Sequence, residues 1–228
     1  VRIEKLVYGG DGLGRLAGRA VLLPLVLPGE RVAAEVVQET PGLIRARLAQ
    51  LLELSPLRVP APCPYFAQCG GCHYQHAPYE EQLRYKAAIL KETLQRVGKI
   101  AAPEPDLIPS PPLHYRNRAQ FKTEKRRASL RLGYFERGSR RLLPVGACPI
   151  TSPRINQMIP ALCEVGRRPD FPGGSGAIEL FVAEQDGRAL VTVTTQAPWP
   201  ETVVSALRER LPEMVSLAVS AQPGQLQR

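Results

Sequence analysis

The sequence predicts an α+β protein in two parts, an OB-like β-barrel over residues 1–55 and an α+β unit over residues 56–228. Three observations lead there. Short β-branched or leucine-rich runs alternate with Gly and Pro turns through the first part, the spacing of a small all-β barrel. One long stripe of apolar residues at three- and four-residue steps follows a cysteine-rich loop, which predicts a helix. Beyond it, strand-like and helix-like stretches are mixed, as in an α+β unit.

The expected barrel strands are Arg2 to Tyr8, Ala20 to Leu27, Arg31 to Val37 and Leu43 to Leu52, parted by turns at Gly9 to Gly14, Pro28-Gly29 and Pro41-Gly42. The glycine cluster is not a phosphate loop. Gly10 and Gly12 would need a third glycine where Arg15 stands, and a strand-like stretch follows, so a tight hairpin turn is expected. The long helix opens at Pro78, with Glu80 and Glu81 favouring the positive end of its dipole, and stops at Gly98. Its stripe of Leu83, Ala87, Leu90, Leu94 and Val97 is expected to be core.

A Pro-rich linker over residues 101–112 leads to strands at Tyr115 to Thr123, Ser129 to Phe135 and Leu142 to Val145. Ser152-Pro153 opens a second helix with Ile155, Ile159 and Leu162 on its apolar face. Cys163 lies four residues after Ile159 and is expected to pack as a small hydrophobe. A hairpin-like pair, Ala177 to Ala183 and Ala189 to Thr195, surrounds Asp186-Gly187; a Pro200-led helix to Leu211 and a strand near Val215 to Val219 follow.

Three cysteines fall close together in Cys63-Pro-Tyr-Phe-Ala-Gln-Cys69-Gly-Gly-Cys72, and a fourth stands at Cys148-Pro149. Thiolates are soft ligands, and three close cysteines plus one distant Cys-Pro are a way to hold a [4Fe-4S] cube. Zinc is the alternative, although only Cys69 and Cys72 have the paired spacing of a zinc knuckle. A thioredoxin-like redox pair would need a βαβ setting, whereas Pro, Gly and aromatic residues surround this motif. A disulfide framework fits worse, since five cysteines are an odd count and no apolar leader opens the chain. The reducing cytoplasm is the expected compartment.

At 44% hydrophobic and 22% charged, with no apolar run near the ~20 residues of a membrane span, the composition is that of a soluble globular protein with no membrane partner. The net charge of +9 points to an anionic partner. Its location says more. Between His114 and Arg141 stand ten Lys or Arg against two Glu, a local excess of +8. Strand alternation places Arg116, Arg118, Gln120 and Lys122 on one face and Tyr115, Asn117, Ala119, Phe121 and Thr123 on the other. A basic sheet of this kind, with Arg126 and Arg127 beyond and Tyr134 and Phe135 nearby, can neutralise phosphates and stack unpaired bases, so these six polar residues are the candidate RNA contacts. The competing reading is a solvated charged face.

Taken in order, Pro28-Gly29-Glu30, Ser55-Pro56-x-Arg58, the cysteine block running on to Gln75-His76, Tyr79-x-x-Gln82-Leu83-x-x-Lys86, Tyr115-Arg-Asn-Arg-Ala-Gln-Phe121 and Cys148-Pro149 resemble the RNA (uracil-5-)-methyltransferase family. More narrowly, they resemble the iron–sulfur branch that methylates 23S ribosomal RNA. The resemblance implies an N-terminal TRAM domain of OB-like fold, a central [4Fe-4S] domain and a Rossmann-like domain for S-adenosylmethionine. It carries the cluster ligands onto Cys63, Cys69, Cys72 and Cys148. In the family a cysteine attacks uracil C6, S-adenosylmethionine methylates C5, and a base removes the C5 proton.

The chain departs from that pattern. It ends at Arg228, where the resemblance implies that the catalytic domain would be beginning, and no strand, glycine loop and helix fingerprint for the donor is present. Cys163, in Leu-Cys-Glu, is unlike the family's Ser-Cys-Asn-Pro loop, so the nucleophile's role is not carried over to it. The expectation is a monomeric RNA-recognition portion that binds 23S rRNA and a cluster without methylating, with no catalytic or S-adenosylmethionine-binding residue of its own. A stand-alone RNA-binding iron–sulfur module, a redox sensor and a tRNA-modifying relative are the alternatives. The cluster is expected to act as a fastening, because methyl transfer by cysteine addition needs no redox step.

Overall fold

A computed structural model describes residues 1–127, 129–195 and 197–221, which form two compact units. The first comprises Val1–Ala67 with Cys72–Pro109. The second is built from Gln68–Gly71 and the described residues from Ser110 onward.

In the first unit, β1 (Ile3–Leu6), β2 (Gly12–Leu16), β3 (Arg19–Leu23), β4 (Arg31–Thr40) and β5 (Leu43–Glu53) form one sheet in the order β1-β2-β3-β5-β4. The β3–β5 pairing is parallel and the others are antiparallel, so the sheet is mixed. Ile3, Val21, Leu23, Val26, Val32, Ile44 and Ala46 make its core. The expected glycine turn is half strand: Gly9 and Gly10 turn at positive φ, but Gly12 and Gly14 lie in β2. A Cβ at Gly12 would stand 2.3 Å from Val26 and one at Gly14 2.4 Å from the Arg2 carbonyl, so only glycine lets β2 lie so close to its neighbours.

The turn before β4 is locked from inside. Glu30 is fully buried and accepts hydrogen bonds from the Leu27 N–H (2.8 Å), the Ser55 N–H (3.4 Å) and both Nε (2.5 Å) and Nη2 (2.8 Å) of Arg58. Arg58 also donates to the Leu25 carbonyl at 2.9 Å, which ties the exit of β5 to the β3–β4 turn. The cysteine loop starts from that anchor. It leads to α1 (Tyr79–Arg96), which opens after Pro78 with Glu80 and Glu81 in its first turn. Here the structure differs from the expected core stripe. No residue of α1 is fully buried, Leu90 is 49% and Val97 79% exposed, and Tyr85 and Ile89 are the residues that pack on Leu6, Leu27 and Ala77.

The second unit contains β6 (Arg118–Arg126), β7 (Ser129–Phe135), β8 (Leu142–Pro144), α2 (Pro153–Val165), β9 (Gly174–Val182), β10 (Ala189–Thr195), α3 (Glu201–Arg210) and β11 (Met214–Ala221). Its sheet runs β11-β10-β9-β6-β7-β8, with β10–β11 parallel and the rest antiparallel. Alternation buries Ala119 and Phe121 of β6, Leu130 and Leu132 of β7, Ile178 and Leu180 of β9 and Val191 and Val193 of β10. Ile155, Met158, Ile159 and Leu162 of α2 are buried in the same unit, where α2 packs on β7, β9 and α3. Ser152 caps α2 by accepting from the Ile155 N–H at 3.4 Å, and Pro153 takes the first-turn position where no donor is needed.

The expected fold class is corrected. In place of an OB-like barrel of four strands followed by an α+β cluster domain, the described residues form two mixed sheets with three helices. The physical reason is non-local. Nothing in the local pattern announces the parallel β3–β5 and β10–β11 pairings, and glycines chosen for close packing in β2 look in sequence like a turn.

Candidate functional site

The cysteines divide between the units, Cys63 and Cys72 in the first, Cys69 and Cys148 in the second. All four are half-buried and in no disulfide. In the second unit, Cys69 sits on a short segment that pairs with the β7–β8 turn: Gly70 N–H donates to the Phe135 carbonyl at 3.0 Å and Arg137 N–H to Gln68 at 2.8 Å. Cys148 is gripped by Asn156. Its N–H donates to Asn156 Oδ1 at 2.8 Å, and its carbonyl accepts from Asn156 Nδ2 at 3.0 Å and the Thr151 hydroxyl at 2.9 Å.

These two cysteines, far apart in sequence, meet at one phenol. Burial pushes the Tyr134 hydroxyl well above the ordinary phenol range, and the hydrogen-bonded Cys148 thiol and nearby Cys69 push it further. In the first unit, the Cys63 N–H donates to Oε1 of the buried Gln75 at 3.2 Å, while Gln75 Nε2 is buried without a hydrogen-bond partner. His76 is buried against Phe66, with its Nε2 3.3 Å from the Val26 carbonyl. Among the described residues no group of three or more His, Cys, Asp or Glu side chains is gathered for a metal ion. Cys163 is half-buried in α2, and burial pushes its thiol up, with Arg167 opposing.

The basic strand keeps its predicted alternation from Arg118 to Lys122, with Ala119 and Phe121 buried and Arg118 and Gln120 exposed. Arg116 lies before β6, where its N–H donates to the Ile150 carbonyl and its carbonyl accepts from the Ser152 N–H; its guanidinium is 5.9 Å from the Tyr115 ring. An open depression of about 490 Å³ is lined by Tyr115, Arg116, Arg118, Gln120, Tyr134 and Glu179. Arg118 is paired with Glu179 at 2.8 Å, and that carboxylate pushes its pKa up. Arg126 pairs with Glu124, and Arg127 sits exposed after β6 at positive φ. The structure separates the two aromatic candidates. Tyr134 packs on buried Phe121 at 5.2 Å, whereas Phe135 stands on the outer face with Lys122 5.7 Å from its ring centroid. Arg131, Arg140 and Arg141 line a second groove, with Lys122 and Phe135, but are not among the candidate contacts. Their signal was the basic run itself.

Comparison with known proteins finds a family match over residues 78 to 171. Those residues match the family model "tRNA (Uracil-5-)-methyltransferase". The methyltransferase match takes in α1, the basic strands and Cys148, and leaves the Cys63–Cys72 loop outside. An uncharacterized RNA methyltransferase of Halalkalibacterium halodurans is 33% identical over 98% of this chain and 52% of its own length. One from Aquifex aeolicus is 44% identical over 72% of this chain and 38% of its own. The 23S rRNA (uracil(1939)-C(5))-methyltransferase RlmD of Shewanella denitrificans is 28% identical over 87% of this chain and 44% of its own. The chain therefore spans about half the length of the curated relatives it matches, or less.

In fold it resembles the crystal structure of Pyrococcus abyssi tRNA (uracil-54, C5)-methyltransferase in complex with S-adenosyl-L-homocysteine, with a TM-score of 0.67 at 21% identity, over 100% of this chain and 52% of that one. The likeness extends over the whole chain and does not show a missing catalytic domain.

Proposed function

We propose that these residues recognise RNA for an S-adenosylmethionine-dependent RNA (uracil-5-)-methyltransferase of the cytoplasm, with 23S rRNA as substrate and the chain acting as a monomer. The observation that carries this is the outer face of the second unit's sheet, where Arg118, Gln120, Lys122 and Arg126 project from β6 inside the segment that matches the methyltransferase family. Arg116 and Arg127 extend the same charge at its two ends. Such a face neutralises phosphates, and a target base leaves its stack more readily when the backbone around it is held. The RlmD relative supports ribosomal RNA; the names of the matched family and of the solved neighbour support tRNA as the second reading.

A [4Fe-4S] cluster on Cys63, Cys69, Cys72 and Cys148 belongs to the same proposal. The donor set fits in its chemistry: four thiols outside any disulfide, a Tyr134 hydroxyl directed at Cys148, and an unpartnered buried N–H at Gln75 beside the Cys63 backbone. When bound, the cluster supplies a covalent fastening. We further propose that the chain alone transfers no methyl group, since four of its five cysteines would serve the cluster and burial in α2 pushes the thiol of the fifth, Cys163, up.

The test is direct competition between an unmodified 23S rRNA fragment and unmodified tRNA for the 228-residue chain, with labelled S-adenosylmethionine present. The proposal expects preference for the rRNA fragment and no label in either RNA. Equal or stronger tRNA binding removes the rRNA assignment, and methyl incorporation removes the division of labour.

A further inference from the structure

The outer face of the second unit holds a groove of about 640 Å³ lined by Lys122, Arg126, Arg131, Phe135, Arg140 and Arg141 together with Glu124 and Glu136. Pockets of a few hundred Å³ hold a nucleotide-sized ligand. One wall is the backbone of β8, which comes so near Gly133 that a Cβ there would stand 1.9 Å from the Leu143 carbonyl. Gly133 therefore lets β8 lie close against β7 along that side of the groove.

The charges in the groove are not equivalent. Glu124 is shared by Arg126 (2.8 Å) and Arg131 (3.1 Å), and Glu136 is taken by Arg141 at 2.6 Å. Lys122 and Arg140 have no carboxylate partner among the described residues; Lys122 donates to Gln120 Oε1 at 3.2 Å and reaches over Phe135. Phe135, 39% exposed, offers its ring beside Lys122 in the groove that Arg140 also lines. An aromatic plate sharing a groove with two cations that lack carboxylate partners matches one ligand chemistry, a flat base with its phosphates.

We propose that this groove is a subsite for an unpaired nucleotide of the RNA, its base stacked on Phe135 and its flanking phosphates met by Lys122 and Arg140. The proposal rests on the RNA reading above and deepens it, because a ring set in a groove reaches a base only after that base has left its helix. An acidic peptide would satisfy the cations but gain nothing from the plate, so RNA is the favoured occupant.

The experiment measures binding of the 228-residue chain to a short single-stranded oligoribonucleotide and to the same sequence as a duplex. Phe135→Leu keeps an apolar side chain and is expected to weaken single-strand binding about tenfold while changing duplex binding less than about twofold. Phe135→Trp is expected to keep the affinity, and its added indole fluorescence to be quenched by the bound single strand, a readout that does not depend on how Phe135→Leu folds. Arg140→Gln should lower the slope of log affinity against log salt by about 0.7 for the single strand. If Phe135→Leu binds both RNAs as the parent does and the indole is not quenched, the subsite is overturned while the basic-face reading stands. If the parent binds neither RNA, both fall together. Displacement of the oligonucleotide from the parent by polyglutamate at equal charge concentration, with loss of that displacement in Arg140→Gln, reassigns the groove to an acidic peptide.

Discussion

Glu30 is a carboxylate with no exposed surface, and its four hydrogen-bond donors decide what it does. Burial alone would push its pKa up from the usual 4.5, but the Arg58 guanidinium and the Leu27 and Ser55 N–H groups more than offset this and hold it lower. A carboxyl lowered on folding stabilises the fold fully above its unfolded pKa and loses that contribution as pH falls through the folded value. Removing one partner of a buried pair leaves the other charge stranded, so Glu30→Ala is expected to cost about 3–5 kcal/mol in urea unfolding at pH 7. The difference between the parent and Glu30→Ala should shrink as pH falls below the usual 4.5 and through the lowered folded value. A constant difference would mean that folding leaves the Glu30 pKa unchanged, and a difference that grows as pH falls would mean that Glu30 is neutral in the native state. The sequence displayed both partners, in Pro28-Gly29-Glu30 and Ser55-Pro56-x-Arg58, yet not their contact, since a pairing across 28 residues leaves no local signal.

At the level of elements, legibility followed the strength of the local pattern. Strands β7 and β10 and helix α2 stand where period-two runs and a Ser-Pro cap placed them, because the apolar face of each is matched by one buried layer. Helix α1 was legible in extent but not in orientation. Two overlapping stripes fit its sequence, and the tertiary packing of Tyr85 and Ile89 chose the one that leaves Leu90 and Val97 in solvent. The Cys148 turn is a different case, held by a side chain from the next element. Asn156→Ala removes the bonds to both backbone groups of Cys148 and is expected to destabilise the unit by about 1–3 kcal/mol in thermal unfolding. It should also speed the alkylation of Cys148. An unchanged melting temperature with unchanged alkylation would show that the turn holds itself.

For the whole molecule, composition reported that charge was concentrated, and the structure adds how it is spent. Several of the cations counted between His114 and Arg141 are answered by Glu124, Glu136 or Glu179, which local counting could not reveal. Sheet order was likewise beyond the sequence, since β6 lies between β7 and β9 although α2 separates those strands in the chain. The proposed cluster predicts about four iron and four sulfide per chain after anaerobic purification. Stoichiometric zinc, or neither metal, would remove it while leaving the RNA reading untouched. That the basic face grips RNA is checked by the affinity of the chain for an unmodified 23S rRNA fragment across a salt series, beside Arg116→Ala/Arg118→Ala. A steep fall with salt and a slope reduced by about 1–2 in the double variant are predicted; a flat series, or a variant indistinguishable from the parent, would contradict it.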